Sequence, residues 1–266
     1  ISTFLYAFHP RLLAHGFFNP KDSILQSFVV TSLYPIYLVF KQNRPKWFIL
    51  SGAMMGICVA TRIVMLYLPF LFFLTLFLFH LENYYHKINK NKVSRLFKNC
   101  ALTLFFFILS LFICWPILWE DPFGNFIWAF NVMKSFPWGG DLLFMGKYIS
   151  SKNLPWSYIP TWFLITTPLT FLFLFFLGLL KASFPSTINS AKNNIMLYFS
   201  LGGVIIPLLA IIILNSSLYD GWRHFYFIYP FISLISVYGY LFLLKLIKHL
   251  LGKKNRLLIS IIINSL

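Results

Sequence analysis

Charge is scarce in this chain, and negative charge is scarcer still. Of its 266 residues only 11% are charged, with six acids against 22 Lys and Arg. An ordinary soluble domain carries about 25% charged residues. A water-soluble globule, a coiled coil and a disordered chain are therefore excluded. The three cysteines, Cys58, Cys100 and Cys114, lack metal-ligand spacing and read as small buried hydrophobes. No glycine-rich phosphate loop, dinucleotide fingerprint or zinc motif occurs, which leaves a cytosolic nucleotide-using enzyme unsupported. Apolar sequence fills the space instead, at 59% hydrophobic and 21% aromatic residues. That is the composition of a polytopic membrane protein.

A helix needs roughly 20 apolar residues to cross the hydrocarbon core. Runs of that kind predict an all-α protein with about seven complete transmembrane helices: Ser23–Phe40, Trp47–Ala60, Ile63–Phe79, Asn99–Leu118, Thr161–Leu180, Ile195–Leu214 and Phe225–Leu244. Ile1–Phe8 and Leu257–Leu266 read as partial spans at the two ends. The chain begins at Ile1 rather than Met, so it reads as an internal fragment of a longer protein. Residues 1–266 form a single transmembrane domain in this reading. The stretch 47–79 fits one bent helix or two short spans. Charge favours two, because Lys41, Arg44 and Lys46 then share a face with Lys87, Lys90, Lys92, Arg95 and Lys98, as the positive-inside rule requires.

The topology that follows puts 41–46, 80–98, 181–194 and 245–256 in the cytoplasm, with 15 of the 22 cations and one acid, Glu82. The outer segments are 9–22, 119–160 and 215–224. With the span ends they carry Asp22, Glu120, Asp121, Asp141 and Asp220. The net charge of +16 is thus mostly an orientation signal, and a nucleic-acid partner is not expected. Tryptophans 119, 128, 138 and 156 place the long loop 119–160 along the membrane surface.

Four polar clusters fall on the outer side. Asp22 precedes a span, where a carboxylate either caps the helix or orients or deprotonates an acceptor hydroxyl. Arg62 stands between two spans. It either snorkels to headgroups or contacts an anion, for which its planar fork is suited. Tyr219-Asp220-Gly221-Trp222-Arg223-His224 is either an interfacial turn with a local Asp220–Arg223 pair, or part of a phosphate headgroup site. Phe136-Pro137-Trp138-Gly139-Gly140-Asp141 is either a surface turn or, through Trp138 and Asp141, a sugar or acceptor contact. Asn215-Ser216-Ser217 matches the N-glycosylation pattern but lies almost on the membrane.

These segments resemble the GT-C glycosyltransferases, the polytopic superfamily that includes protein O-mannosyltransferases and the lipid A aminoarabinose transferase. The resemblance runs through His9-Pro10-Arg11 to Asn19-Pro20-Lys21-Asp22, Ala60-Thr61-Arg62 with Pro69, Leu154-Pro155-Trp156-Ser157-Tyr158 to Ile165-Thr166-Thr167-Pro168, and Tyr219 to His224. The last segment is most like bacterial members. The resemblance implies a multi-pass protein of a bacterial inner membrane with its active face extracytoplasmic. It implies transfer of a sugar, with inversion, from a polyprenyl-phosphate donor to a protein, glycolipid or polysaccharide acceptor. Asp22 is then the catalytic acid of the second outer loop, and the first-loop acid would precede Ile1, so this fragment alone is expected to be inactive. Arg62, Arg223 and His224 would hold the donor phosphate, and Asp141, Trp138 and Asp220 the sugar or acceptor. No complete metal site is present in the sequence, so no cofactor is assigned, although some superfamily members use a divalent metal. The competing expectations are a transporter or flippase for lipid-linked substrates, with polar groups at the bilayer midplane, and a non-catalytic scaffold. A scaffold predicts no convergence of Asp22, Arg62 and Arg223.

Overall fold

A computed structural model describes residues 9–84, 90–134, 139–184, 194–214, 218 and 220–250. The partial spans expected at the two termini, the Asn215-Ser216-Ser217 motif and Trp138 lie outside the described residues.

Among the described residues, proline opens the first three helices. A proline at the first helical position loses no hydrogen bond and has its φ already set. Pro10 begins α1 (Pro10–Phe18), Pro20 begins α2 (Pro20–Gln42) and Pro45 begins α3 (Pro45–Thr61). The His9 side chain accepts the Leu12 N–H and caps α1. Asn43 ends α2 in the left-handed region, at φ 48°, where asparagine is tolerated. Arg62 is extended, at φ −149° and ψ 122°, and so separates α3 from a 3-10 turn (Ile63–Leu66) and α4 (Tyr67–Tyr84). The chain continues through α5 (Lys90–Cys114), a 3-10 turn (Pro116–Trp119) and α6 (Pro122–Lys134). A hairpin of β1 (Asp141–Phe144) and β2 (Lys147–Ser150) follows, with Asp141 opposite Ser150 and Phe144 opposite Lys147. Its two-residue turn, Met145-Gly146, has positive φ at both residues, the conformation whose twist suits a tight hairpin. The remainder is α7 (Tyr158–Thr166), α8 (Leu169–Ser183), α9 (Ile195–Leu214), a 3-10 turn (Arg223–Ile228) and α10 (Tyr229–Leu250).

The all-α, polytopic expectation is met. Among the described residues, five helical segments are long and apolar enough to cross a membrane: Pro20–Gln42, Ile63–His80, Val93–Cys114, Ile195–Ile213 and Arg223–His249. Two expected spans come out differently. The run 47–60 is a shorter helix of 17 residues. The run 161–180 is two helices, α7 and α8, because Thr167 is held extended (φ −95°, ψ 131°) ahead of Pro168, the restriction that proline imposes on the residue before it. The loop 119–160 contains α6 and the hairpin.

Ring contacts settle the choice at 47–79. Phe72 of α4 packs on Phe48 of α3, and Phe79 packs on Phe40 near the end of α2, with centroids 5.6 Å apart. Helices α3 and α4 are therefore antiparallel, with Arg62 at their shared end and Lys41, Arg44 and Lys46 at the other. The Arg62–His224 contact at 3.2 Å and the Tyr67 and Phe227 rings, with centroids 5.8 Å apart, place the start of α10 at the Arg62 end as well.

Lipid tails are as apolar as leucine, so helices in a bilayer associate through close packing rather than hydrophobic burial. The sequence Gly52-Ala53-Met54-Met55-Gly56 serves that packing. A Cβ at Gly52 would meet the Thr103 carbonyl oxygen, and one at Gly56 would meet Ser110 Oγ and the Phe107 carbonyl oxygen. Thr103 Oγ1 also donates to the Phe48 carbonyl at 3.2 Å. The fully buried centre includes Val29, Ile36, Phe48, Met55, Phe72, Phe199 and Phe231. Phe70, Phe77, Phe105, Ile108, Phe112 and Ile213 are exposed on the outside of the bundle, where a soluble protein would aggregate and a membrane protein meets lipid. Of the cysteines, Cys58 is buried as expected, whereas Cys114 is exposed at the end of α5.

Candidate functional site

Three segments distant in sequence meet at one end of the bundle. The first turn of α2 supplies Asp22, the break after α3 supplies Arg62, and the 3-10 turn before α10 supplies Arg223 and His224. Asp22 Oδ1 lies 2.5 Å from Arg62 Nη2, and Oδ2 lies 3.4 Å from Arg223 Nε. Arg62 Nη1 is 3.2 Å from His224 Nδ1. With the guanidinium necessarily the donor, that ring nitrogen is the acceptor and Nε2 carries the hydrogen. Arg223 Nη1 donates to Asp220 Oδ2 at 2.7 Å and to Asn19 Oδ1 at 3.3 Å. The Asp22 side chain is 7% exposed and those of Arg62 and Arg223 are 20% and 17%. Charges so shielded from water persist only when paired.

Asp22, Arg62, Arg223, His224 and Asp220, five of the sequence candidates, thus form one connected group. The simpler roles set beside them are partly visible too. Asp220 and Arg223 do make a local pair. Asp22 lies in the first turn of α2, where a carboxylate complements the helix dipole, but the cap position is held by Asn19 and the Asp22 side chain turns to Arg62. Arg62 is tied to Asp22 and His224 instead of reaching outward to headgroups. Asp141 is exposed at the start of β1, on a hairpin whose Phe144 packs against Tyr158, and no ion pair joins it to the cluster among the described residues.

Several further participants are not among the candidate site residues, although most fall within the resembling segments. Arg11 Nε donates to Tyr226 Oη at 2.8 Å, and its guanidinium lies over the Trp162 ring at 5.0 Å. Asn19 Nδ2 and His15 Nδ1 are 3.0 Å apart. The Gly221 N–H donates to Tyr158 Oη at 3.2 Å, and Trp222 Nε1 donates to Thr166 Oγ1 at 2.8 Å. Gly221 is required on two counts. Its φ is +64°, and a Cβ there would stand 2.7 Å from Arg11 Nη2. No local pattern announces these contacts, since Arg11 and Tyr226 are 215 residues apart.

Beneath the cluster, His9 is fully buried among Phe171, Trp222 and Tyr229, with the Tyr229 ring centroid 4.6 Å away. Burial pushes its pKa down to about 4, so the ring is neutral near pH 7. Burial also lowers the pKa of His15. Arg11, Arg62 and Arg223 against Asp22 and Asp220 then leave the cluster one fixed positive charge in excess. A cavity of about 570 Å³ borders it, with Tyr158 in its wall. Leu208, Ile211 and Ile212 of α9 make one side apolar, and Lys152 and Asn153 make the rim polar. Among the described residues no group of three or more His, Cys, Asp or Glu is placed to hold a metal ion.

Comparison with known proteins adds one match. Residues 1–115, which include Asp22 and Arg62, match the family model of the dolichyl-phosphate-mannose-protein mannosyltransferases. No curated protein and no solved structure matches the chain. The family match agrees with the resemblance read from the sequence and supports a multi-pass membrane protein with glycosyltransferase activity of the mannosyltransferase type.

Proposed function

We propose that this protein transfers a sugar from a polyprenyl-phosphate carrier to an acceptor on the extracytoplasmic side of the membrane, inverting the anomeric carbon. The observation that carries the reading is the convergence of Arg62 and Arg223 on one shielded carboxylate at one end of the helices. A sugar phosphodiester bears a single negative charge, which matches the single positive excess of the cluster. As the acceptor hydroxyl attacks, charge builds on the departing phosphate, and guanidinium groups already fixed in place stabilise it without reorganising. His224 Nε2–H adds a neutral donor beside Arg62.

Asp22 acts within this machinery. Both of its oxygens face guanidinium groups, so it fixes the spacing and aim of Arg62 and Arg223. The carboxylate is also the acid nearest the reacting phosphate, positioned for an acceptor proton. The cavity beside Tyr158 fits the isoprenoid chain of the donor, with α9 as its apolar wall. Asp220 steadies Arg223, and Asp141 and Trp138 are assigned to the acceptor side.

Membranes containing the full-length protein, supplied with polyprenyl-phosphate-linked sugars, test this directly. Transfer is expected, and Arg62→Gln and Arg223→Gln should each raise KM for the donor and lower kcat. Absence of transfer from every such donor, or full activity of the Arg62→Gln/Arg223→Gln double variant, would overturn the reading.

A further inference from the structure

The opposite end of the bundle carries a second anion-seeking group of side chains, unconnected to the first. Helices α2 and α3 are joined there by the turn Gln42-Asn43-Arg44, and Lys41, Arg44 and Lys46 fall within six residues of one another. All three are exposed, and no carboxylate pairs with any of them among the described residues. The sequence explains why, since no Asp or Glu occurs between Asp22 and Glu82.

The turn is braced by aromatic rings. Lys41 Nζ lies over the Tyr37 ring at 5.3 Å, and Lys46 Nζ lies over the Trp47 ring at 4.6 Å. Trp47 Nε1 donates to Gln42 Oε1 at 2.9 Å, which ties the last residue of α2 to the first turn of α3. The Tyr34 and Trp47 rings meet edge to face at 6.2 Å. A cation held over a ring keeps its N–H donors for another partner. The rings also cut the number of side-chain conformations that binding must freeze.

Position decides what the partner is. Val39, one helical turn below, and Phe48 are completely or almost completely buried in the bundle. The turn therefore sits where the apolar lengths of two helices end, and tryptophan and tyrosine favour that same level of a bilayer. A ligand there meets three cations on its polar side and hydrocarbon beneath, which is the shape of an anionic phospholipid. We propose that the Lys41–Trp47 turn is a binding site for the phosphodiester headgroup of an anionic phospholipid, in the leaflet opposite the Asp22 cluster. Arg44 supplies a two-pronged contact to phosphate oxygens, and the two lysines supply point charges on either side.

The test uses the full-length protein in nanodiscs containing equal amounts of phosphatidylglycerol and phosphatidylcholine. Lipid retained on the protein is counted by native mass spectrometry. Retention of phosphatidylglycerol about tenfold or more over phosphatidylcholine is expected, given about 1 kcal/mol per basic residue near a charged membrane surface. The Lys41→Gln/Arg44→Gln/Lys46→Gln variant should fall to parity. Lys41→Arg/Lys46→Arg should keep the preference, and so should a Lys181→Gln/Lys248→Gln control at the ends of α8 and α10. Should the triple variant fail to fold, Arg44→Gln alone is expected to lower the preference severalfold. A wild-type protein without preference, an Arg44→Gln or triple variant that keeps all of it, or a control that loses as much would overturn the proposal. None of these outcomes depends on sugar transfer.

Discussion

The two ends of this molecule use arginine and lysine in opposite ways. At one end Arg62 and Arg223 are about four-fifths shielded and both engage Asp22, which lies some 40 and 200 residues away in sequence, although Arg223 also pairs locally with Asp220. At the other end Lys41, Arg44 and Lys46 are exposed, lack carboxylate partners among the described residues and are held by rings that are near neighbours in sequence. A charge shielded from water must be answered by tertiary structure, because its desolvation is costly. A charge left in the headgroup region is answered by solvent and lipid, so local sequence suffices. The first end is a machine assembled by folding, and the second is a contact available to whatever lies beside it.

The sharpest way to break this contrast is at Asp22. Asp22→Asn leaves two guanidinium groups facing each other, and a loss of about 3–5 kcal/mol is expected from breaking such a pair, read from denaturant unfolding in detergent. The same change should depress sugar transfer. If Asp22 acts only by positioning the arginines, the acid limb of the kcat/KM profile stays where it was while KM for the donor rises. A coupling of more than about 1 kcal/mol between Asp22→Asn and Arg62→Gln is expected, as for contacting residues. Lys41→Gln and Arg44→Gln should add without coupling.

A second test concerns the packing that holds the two ends at a fixed separation. Gly56→Val would push a branched side chain into Ser110 and the α5 backbone. A loss of about 2–3 kcal/mol, the upper range for overpacking, is expected and is measurable by thermal unfolding. An unchanged Tm would mean that α3 and α5 do not meet closely at Gly56.

The third is a pH dependence confined to the Asp22 end. The pKa of His9 is near 4 in the fold, below its ordinary 6.5. The unfolded chain therefore takes up a proton at a pH where the folded chain does not. The contribution of His9 is full above pH 6.5 and is lost as pH drops toward 4, by up to about 1.4 kcal/mol per pH unit, and His224, which burial also pushes down to about 4, contributes over the same range. His9→Asn retains a capping side chain and should make that part of the stability profile shallower. Equal slopes in the two proteins would remove His9 from the effect.

The smallest change is expected at the far end. Lys41→Gln/Arg44→Gln should alter stability by no more than about 0.5 kcal/mol, as is usual for surface positions, while weakening the preference for anionic lipid. A larger loss in unfolding experiments would show that these cations are held by more of the protein than the Tyr37 and Trp47 rings.

Much of this architecture is legible in the amino-acid sequence. The apolar runs are long because nothing shorter crosses a bilayer, and the sidedness of Lys and Arg resolves residues 47–79 into two helices. Asp22, Arg62 and the 220–224 turn stand out because polar groups flanking such runs need a reason to be there. The break at Thr167 is less visible. Thr166-Thr167-Pro168 lies inside an apolar run that reads as one span, although the proline itself carries the warning. Asp141 draws notice through the company of Trp138 and two glycines, whereas the fold leaves it exposed on a hairpin. Arg11 falls in a resembling segment but is no site candidate, because a cation on a short amphipathic stretch looks like a surface residue until Tyr226 and Trp162 are brought to it.

The sequence by itself determined that this is a multi-pass helical membrane protein, since composition and run length admit no other state and the solvent imposes it at every position. It also determined which few polar residues are anomalous. Only the tertiary structure decided that Asp22, Arg62 and Arg223 share one site, while Asp141 stays exposed on a hairpin with no ion pair to them among the described residues and Lys41, Arg44 and Lys46 face the other way. The apolar faces of the helices are nearly uniform, and uniform faces do not specify which neighbour they meet. Close contacts at small residues and a handful of buried ion pairs choose among the packings, and those exist only once distant segments have come together.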